Sequence, residues 1–442
     1  MKWLQSPRTR SWIVLATSLI ISAGVWRWAQ CVLVPAYTKK VVASGRPIGN
    51  NSDLYPRWLG ARELLLYGRD PYSPEVTRDI QRGFYGRPLD PSKPTDPTAQ
   101  ESFVYPLYVV FLMAPTIRLP FPAVVSIFRG VLLASIVCSI PLWIYAVRLR
   151  ARWPIVVSGM LLAVGSYPAV EEYYQQNLTA LVVLLLAGAA AAAVGKRLWL
   201  AGVLLALSTV KPDTTGLMVL WFVLWAAARW RDRRRLVFSL VLTLMFLIGG
   251  AEAVLPHWIG SFFAAVREYP RYGTDPSIIQ ALLPRIVAVP TMAALVVLAA
   301  FHCWRWRQAE AGSREFGWAL AWVAVVTLAI IPKLAAYNQL LVVPALLVLI
   351  VEFRGLTRPL PRMLSKAAFA CQIWQWVAAS VLAMCSLFVS GTRLSTVAQV
   401  PMYTLLAMVP ITLAAVLSSA HGVSMNVQPT SEKLRSLVRM RG

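Results

Sequence analysis

Apolar runs about as long as a bilayer is thick recur along nearly the whole chain, each closed by a short basic or proline-containing break. A helix needs roughly 20 apolar residues to cross the hydrocarbon core, and only helices or closed barrels satisfy their backbone there. The runs fall at 11–34, 123–147, 154–170, 177–194, 198–210, 214–228, 236–255, 286–304, 316–332, 336–351, 367–389 and 401–420. By the length criterion they predict about twelve transmembrane helices, several of them short. Composition points the same way: 58% of residues are apolar and 14% charged, where soluble domains carry about a quarter charged. A soluble core stops growing near about 250–300 residues, so a chain of 442 with this surface has nowhere to hide it. An all-α polytopic membrane protein is expected.

The net charge of +24 does not mark a nucleic-acid binder, because the basic residues are split into short clusters between apolar runs. Such clusters report topology, since Lys and Arg accumulate in short cytoplasmic loops. With the N-terminus cytoplasmic, Arg148/Arg150/Arg152, Lys196/Arg197, 229–235, Arg305/Arg307/Arg314, 354–366 and 433–441 all fall inside. Only Lys211, Arg267, Arg271, Arg285, Lys333 and Arg393 then remain in the short outer loops. This orientation suits a multi-pass plasma-membrane protein. Lys2, Arg8 and Arg10 before the first run imitate a signal peptide, but the run outlasts the usual h-region and reads as an uncleaved anchor. The five cysteines lie in or beside apolar stretches without C-x-x-C spacing, and read as buried free thiols.

Two segments depart from this plan. Residues 105–117 are apolar but too short to span, with Pro106 and Pro115 among them. They are expected to be re-entrant and buried in protein, because broken backbone is not tolerated against lipid. Residues 35–103 form a long outer loop rich in Pro, Gly, Tyr and charge, and loops of that length are usually functional. Within it Leu54, Trp58, Ala61 and Leu65 share one helical face, predicting a short amphipathic helix at the membrane surface. Asn51-Ser52-Asp53 precedes it as a capping signal and Gly68 follows as a stop.

The string D-L-Y-P-R-W-L-G-A-R (53–62), then G-R-D-P-Y (68–72), Y-P-L (105–107), Q-Q-N-L (175–178) and K-P (211–212) resembles glycosyltransferase family 87 over roughly residues 45–350. That family belongs to the GT-C membrane glycosyltransferases. The resemblance implies a GT-C-like catalytic bundle over 1–355; residues 356–420 carry few intramembrane polar groups and read as scaffold helices, and 421–442 reads as a basic cytoplasmic tail. The resemblance also implies a polyprenyl-phosphate-linked hexose, commonly mannose, as donor, a lipid or glycan as acceptor, and an Asp of the first outer loop as catalytic base. By position that base is Asp53. One departure stands out: many relatives carry a His-containing motif where this chain reads Lys333-Leu334-Ala335-Ala336-Tyr337-Asn338. Lys333 or Tyr337 would then have to take its place.

An inverting transfer from a lipid phosphate needs a carboxylate to take the acceptor proton and cations to steady the departing phosphate. Asp53 is either that base or a cap for its own helix. Lys211 sits at a helix break, since Pro212 disfavours helical geometry at the lysine, and is either a phosphate ligand or an interfacial anchor. Lys333, after Pro332, repeats the pattern, and Arg57 and Arg62 on the loop helix are candidates for the same phosphate. Tyr105, Gln176, Asn177, Arg271, Gln280 and Tyr337 are candidates for sugar or acceptor, through amide hydrogen bonds and aromatic faces. Glu171 and Glu172 offer a second possible base. The monophosphate leaving group calls for neither cofactor nor metal. The competing class, a lipid or solute transporter, usually shows internal repeats and midplane charges, whereas no repeat is found here and most charges cluster at span ends. A non-catalytic scaffold is opposed only by the long charged loop.

Overall fold

The computed structural model describes residues 6–43, 49–90, 92–93, 96, 101–272, 276–332, 335–391 and 393–425, and among these it is helical without a strand. The anchor helices α1 (Pro7–Trp28) and α2 (Val34–Ala43) come first, followed by α3 (Leu54–Tyr67), α4 (Pro74–Tyr85) and the short α5 (Val109–Met113). The bundle continues with α6 (Phe121–Ala146), α7 (Trp153–Val164), α8 (Tyr167–Gln175), α9 (Thr179–Val194), α10 (Leu198–Ser208), α11 (Pro212–Ala227) and α12 (Trp230–Val254). Then follow α13 (Trp258–Tyr272), α14 (Ile278–Leu282), α15 (Arg285–Trp306), α16 (Arg314–Ile330), α17 (Val343–Glu352), α18 (Pro359–Cys385) and α19 (Leu405–Met425).

Among the described residues, seven stretches are long and apolar enough to cross a bilayer: Arg8–Lys40, Phe121–Ala146, Trp230–Val254, Arg285–Trp306, Ala336–Gly355, Pro359–Cys385 and Arg393–Ala420. The bent pair α7 and α8, angled by 54°, makes an eighth if it is one span. Three further apolar helices, α9, α10 and α11, are shorter. The chain is thus a polytopic membrane protein, but the expected twelve spans resolve into seven or eight of full length, these three short helices and the 17-residue α16. Hydropathy alone does not see the breaks.

α16 forms the centre. Its residues from Phe316 to Ala329 are all buried, as expected of a helix apolar all round. It packs against α11, α15, α17 and α19, while α6, α9, α10 and α12 pack side by side in a row. Gly202 makes the α10–α12 approach possible: a Cβ there would lie 2.2 Å from the Leu236 carbonyl and 2.0 Å from Ser239 Oγ. Small residues let helices approach in this way inside membranes. α18 packs on both α1 and α19. At the start of α12, in the basic cluster 229–235, Arg233 is buried; it donates to the carbonyls of Trp225 and Ala309 at 2.7 and 2.6 Å and lies 3.8 Å over the Trp225 ring.

Three expectations are corrected. The anchor does not stop at residue 34 but continues through a π-helical turn, Ala29–Leu33, into α2. A wider turn relieves the clash that Pro35 makes with the carbonyl four residues back. α3 has the expected position, and Gly68 ends it in the left-handed conformation (φ 66°). It is not an amphipathic surface helix, however, because residues from Leu54 to Leu64 are buried nearly all round it, Arg57 included. α4 and the 105–117 segment cover it; Phe103 fits against Gly60, where a Cβ would meet its ring at 2.4 Å. Among the cysteines only Cys303 is buried, and Cys138 is exposed on the bundle surface. The 105–117 segment itself is a short helix followed by a 3-10 turn (Ala114–Thr116), and Leu107, Val109, Val110 and Met113 are buried, as expected of a segment that does not span.

Candidate functional site

Asp53 stands at the N-cap position immediately before α3, yet its side chain does not cap that helix. Its backbone is already helical (φ −60°, ψ −16°) and its side chain makes no capping bond; Ser52 Oγ accepts from the Leu54 N–H instead, at 3.2 Å. The carboxylate turns toward the bundle. Its Oδ2 accepts from Asn177 Nδ2 at 2.7 Å and from the Tyr337 hydroxyl at 3.0 Å. The Asp53 N–H donates to the Gln175 carbonyl at 2.8 Å, fastening the start of α3 to the end of α8.

The α8–α9 turn supplies the other side. Ser166 begins α8 by accepting from the Ala169 N–H, and Gln176 ends it in the left-handed region (φ 48°, ψ 46°). A non-glycine residue there is strained, and Gln176 is held by accepting from Ser52 Oγ at 2.7 Å and donating to the Tyr173 carbonyl. Glu172, fully buried, accepts from the Ala180 N–H at 3.0 Å and so caps the start of α9. Glu171 accepts from the Tyr337 N–H at 2.7 Å.

Lys211 is not helical (φ −131°, ψ 77°), as Pro212 demands. It is nearly buried, at 8% exposure, and therefore does not snorkel to water. Its ammonium donates to Thr179 Oγ1 at 2.6 Å and Asn338 Oδ1 at 2.8 Å, and lies 5.1 Å from the Tyr337 ring centre. Thr179 in turn is 3.0 Å from Asn177 Oδ1. A continuous polar chain thus runs from the Asp53 carboxylate through Asn177 and Thr179 to the Lys211 ammonium. Such buried networks are worth most when every member is satisfied. Arg57, 3% exposed, donates to the Asp53 carbonyl and stacks 4.0 Å over the Tyr105 ring. Tyr105 is fixed from behind, since the Tyr72 hydroxyl donates to its carbonyl at 2.6 Å. Burial pushes the Tyr72 phenol far above its ordinary range, so it remains a donor.

The structure therefore brings together Asp53, Arg57, Tyr105, Gln176, Asn177, Lys211 and Tyr337. Two expected residues are elsewhere. Arg62 lies over the Trp58 ring, 5.4 Å from its centre. Gln280 is spent in a capping box with Ser277 at the start of α14, a use its sequence position in S-x-x-Q announces. Lys333 and the side chain of Arg271 lie outside the described residues. Ser52 belongs to the capping signal that the sequence shows and does cap α3, but its bond to Gln176 and the bridging roles of Thr179 and Asn338 have no local signal; each adjoins or nearly adjoins a chosen residue, but nothing local says that neutral polar side chains will bridge an acid to a lysine.

A family model described as glycosyltransferase family 87 matches residues 103–332, just over half of the chain. Gln176, Asn177, Thr179 and Lys211 fall inside the match, whereas Asp53, Arg57 and Tyr337 lie to either side of it. Neither the curated proteins nor the solved structures provide a match.

Proposed function

The chain belongs to glycosyltransferase family 87 and is a membrane glycosyltransferase; from that premise we propose that it moves a hexose, mannose first among the candidates, from a polyprenyl-phosphate donor to a lipid or glycan acceptor. The reaction takes place at the outer face of the plasma membrane, with the N-terminus in the cytoplasm. Asp53 is the general base. It takes the proton of the acceptor hydroxyl while that oxygen attacks the anomeric carbon. The bond from that carbon to the phosphate oxygen breaks, and the lipid phosphate leaves with the electron pair. Inversion at the anomeric carbon follows from a single displacement.

The observation that carries this reading is the direction of the Asp53 carboxylate, turned off its own helix and held by Asn177 and Tyr337. A helix cap has no use for those donors; a base needs them to fix its aim. Lys211 and Arg57 are the candidate phosphate ligands, with their charges close to the developing negative charge on the leaving group. Gln176 contributes by holding the α8–α9 turn, and Tyr105 by backing Arg57. Tyr337 occupies the stretch where many relatives carry histidine, and its hydroxyl steadies Asp53.

The test is transfer by the purified chain in nanodiscs from labelled polyprenyl-phosphate mannose, with the anomeric configuration of the product read by NMR. Transfer with inversion is expected. Use of nucleotide sugars in place of the lipid donor, or retention of configuration, would overturn the proposal.

A further inference from the structure

Arg129 lies on α6, a membrane-spanning helix, about 12 Å along from its start at the usual rise per residue. An arginine within a spanning helix is costly and is normally paired with a carboxylate, reaches toward the headgroup level or is directed to a functional site. Arg129 has no acidic partner among the described residues. Its Nε donates to the Tyr173 carbonyl at 3.2 Å and its guanidinium lies 4.5 Å over the Tyr173 ring, which leaves both Nη nitrogens without a protein acceptor among the described residues. Trp26 of α1 stands edge-on to Tyr173 with ring centres 5.1 Å apart, and Tyr174 follows at 5.2 Å. Arg129, Trp26, Tyr173 and Tyr174 are all half-buried, so the cluster opens onto the bundle surface between α1, α6 and α8.

We infer that this cluster is a docking site for the phosphate headgroup of a membrane lipid, with the Arg129 Nη fork as its anion ligand. A guanidinium fork matches two phosphate oxygens, and aromatic side chains of this kind sit at headgroup level. Capping the end of α8 uses only the Nε of Arg129. The site also adjoins the reacting residues, because the Tyr173 carbonyl that receives Arg129 also receives Gln176 Nε2. Gln176 is bonded to Ser52, the neighbour of Asp53. Two lipids carry the required chemistry: the polyprenyl-phosphate donor, which rests on the proposed function, and an anionic glycerophospholipid, which does not.

The experiment measures binding of polyprenyl phosphate, phosphatidylglycerol and uncharged polyprenol to the purified full chain in phosphatidylcholine nanodiscs, by native mass spectrometry. Arg129→Met keeps the apolar stem and removes the fork. It is expected to weaken binding of at least one of the two phosphates by about tenfold, the worth of one charge-assisted hydrogen bond, and to leave polyprenol unchanged. Loss confined to polyprenyl phosphate identifies the donor, loss confined to phosphatidylglycerol identifies a bound phospholipid, and either supports the site. Unchanged binding of both phosphates, or an equal loss of polyprenol, overturns it. Should the variant fail to fold, photo-crosslinking of the wild-type chain with a photoactivatable phosphate lipid decides: label on the peptides holding Arg129 and Tyr173 supports the site, and label only elsewhere overturns it. Asp53→Asn separates the two proposals, since it is expected to lose transfer and retain this binding.

Discussion

Asp53→Asn keeps the shape of the side chain and removes its charge and its ability to take a proton. The two hydrogen bonds on Oδ2, from Asn177 at 2.7 Å and Tyr337 at 3.0 Å, survive as neutral bonds to the amide oxygen. Charge-assisted bonds are worth about 1.5–3 kcal/mol and neutral ones about 0.5–1.5, so the exchange costs about 2–3 kcal/mol of local stability. General-base catalysis contributes about 10²–10⁴ in rate, or about 3–5.5 kcal/mol of barrier. Turnover should therefore fall by at least a hundredfold in a protein that still inserts and melts cooperatively. Asp53→Ala should be less stable than the Asn variant, because it strands both donors at about 1–3 kcal/mol each. Asp53→Glu retains a base but displaces it, and a misplacement of about 1 Å is enough to lose about a hundredfold. The assay is single-turnover transfer of labelled hexose in nanodiscs, with thermal unfolding followed on the same samples. An Asn variant with wild-type folding and activity within about threefold of wild type would refute the role assigned to this carboxylate.

Lys211→Met removes the donor from Thr179 Oγ1 and Asn338 Oδ1, so stability should fall by about 1–3 kcal/mol and the KM for donor should rise more than that for acceptor; equal changes in both would leave Lys211 a structural group only. Gly202→Val places side-chain atoms against the Leu236 backbone, and α10 should separate from α12 at a cost of about 1–3 kcal/mol, visible as a lower melting temperature while Gly216→Val, with open space around it, melts like wild type. In the segment between α4 and α5, Arg87 donates to Asp96 at 2.8 Å and holds its carboxyl well below the usual range. A depressed carboxylate contributes stability that is present above its unfolded pKa of about 3.9 and is lost as pH falls below it. The exchange protection of the Asp90 N–H, which also bonds Asp96 at 2.8 Å, taken relative to the intrinsic rate at each pH, should be the same at pH 7 and pH 5 and fall below about pH 4; the same protection in Asp96→Asn at pH 7 would show that the ion pair does not hold the loop.

Membrane character, the broken helix at Lys211-Pro212, the stop at Gly68 and the non-spanning 105–117 segment were all legible in the chain, because each follows from hydropathy or from backbone rules acting within a few residues. Proline restricts its predecessor wherever it occurs, and Lys211 duly lies outside helical geometry. The surface placement of α3 was misread for a related reason: the periodicity of Leu54, Trp58, Ala61 and Leu65 specifies one buried face but is silent about what covers the others. The partners of Asp53 could not be read locally at all. Asn177 is 124 residues away and Tyr337 is 284 away, and a carboxylate after Asn-Ser ahead of a helix looks locally like a cap. Only the packing of α8 and the Tyr337 turn against the start of α3 made it an inward-facing acid, since side-chain direction depends on which donors the tertiary fold delivers, and composition and spacing along the chain do not encode that distance.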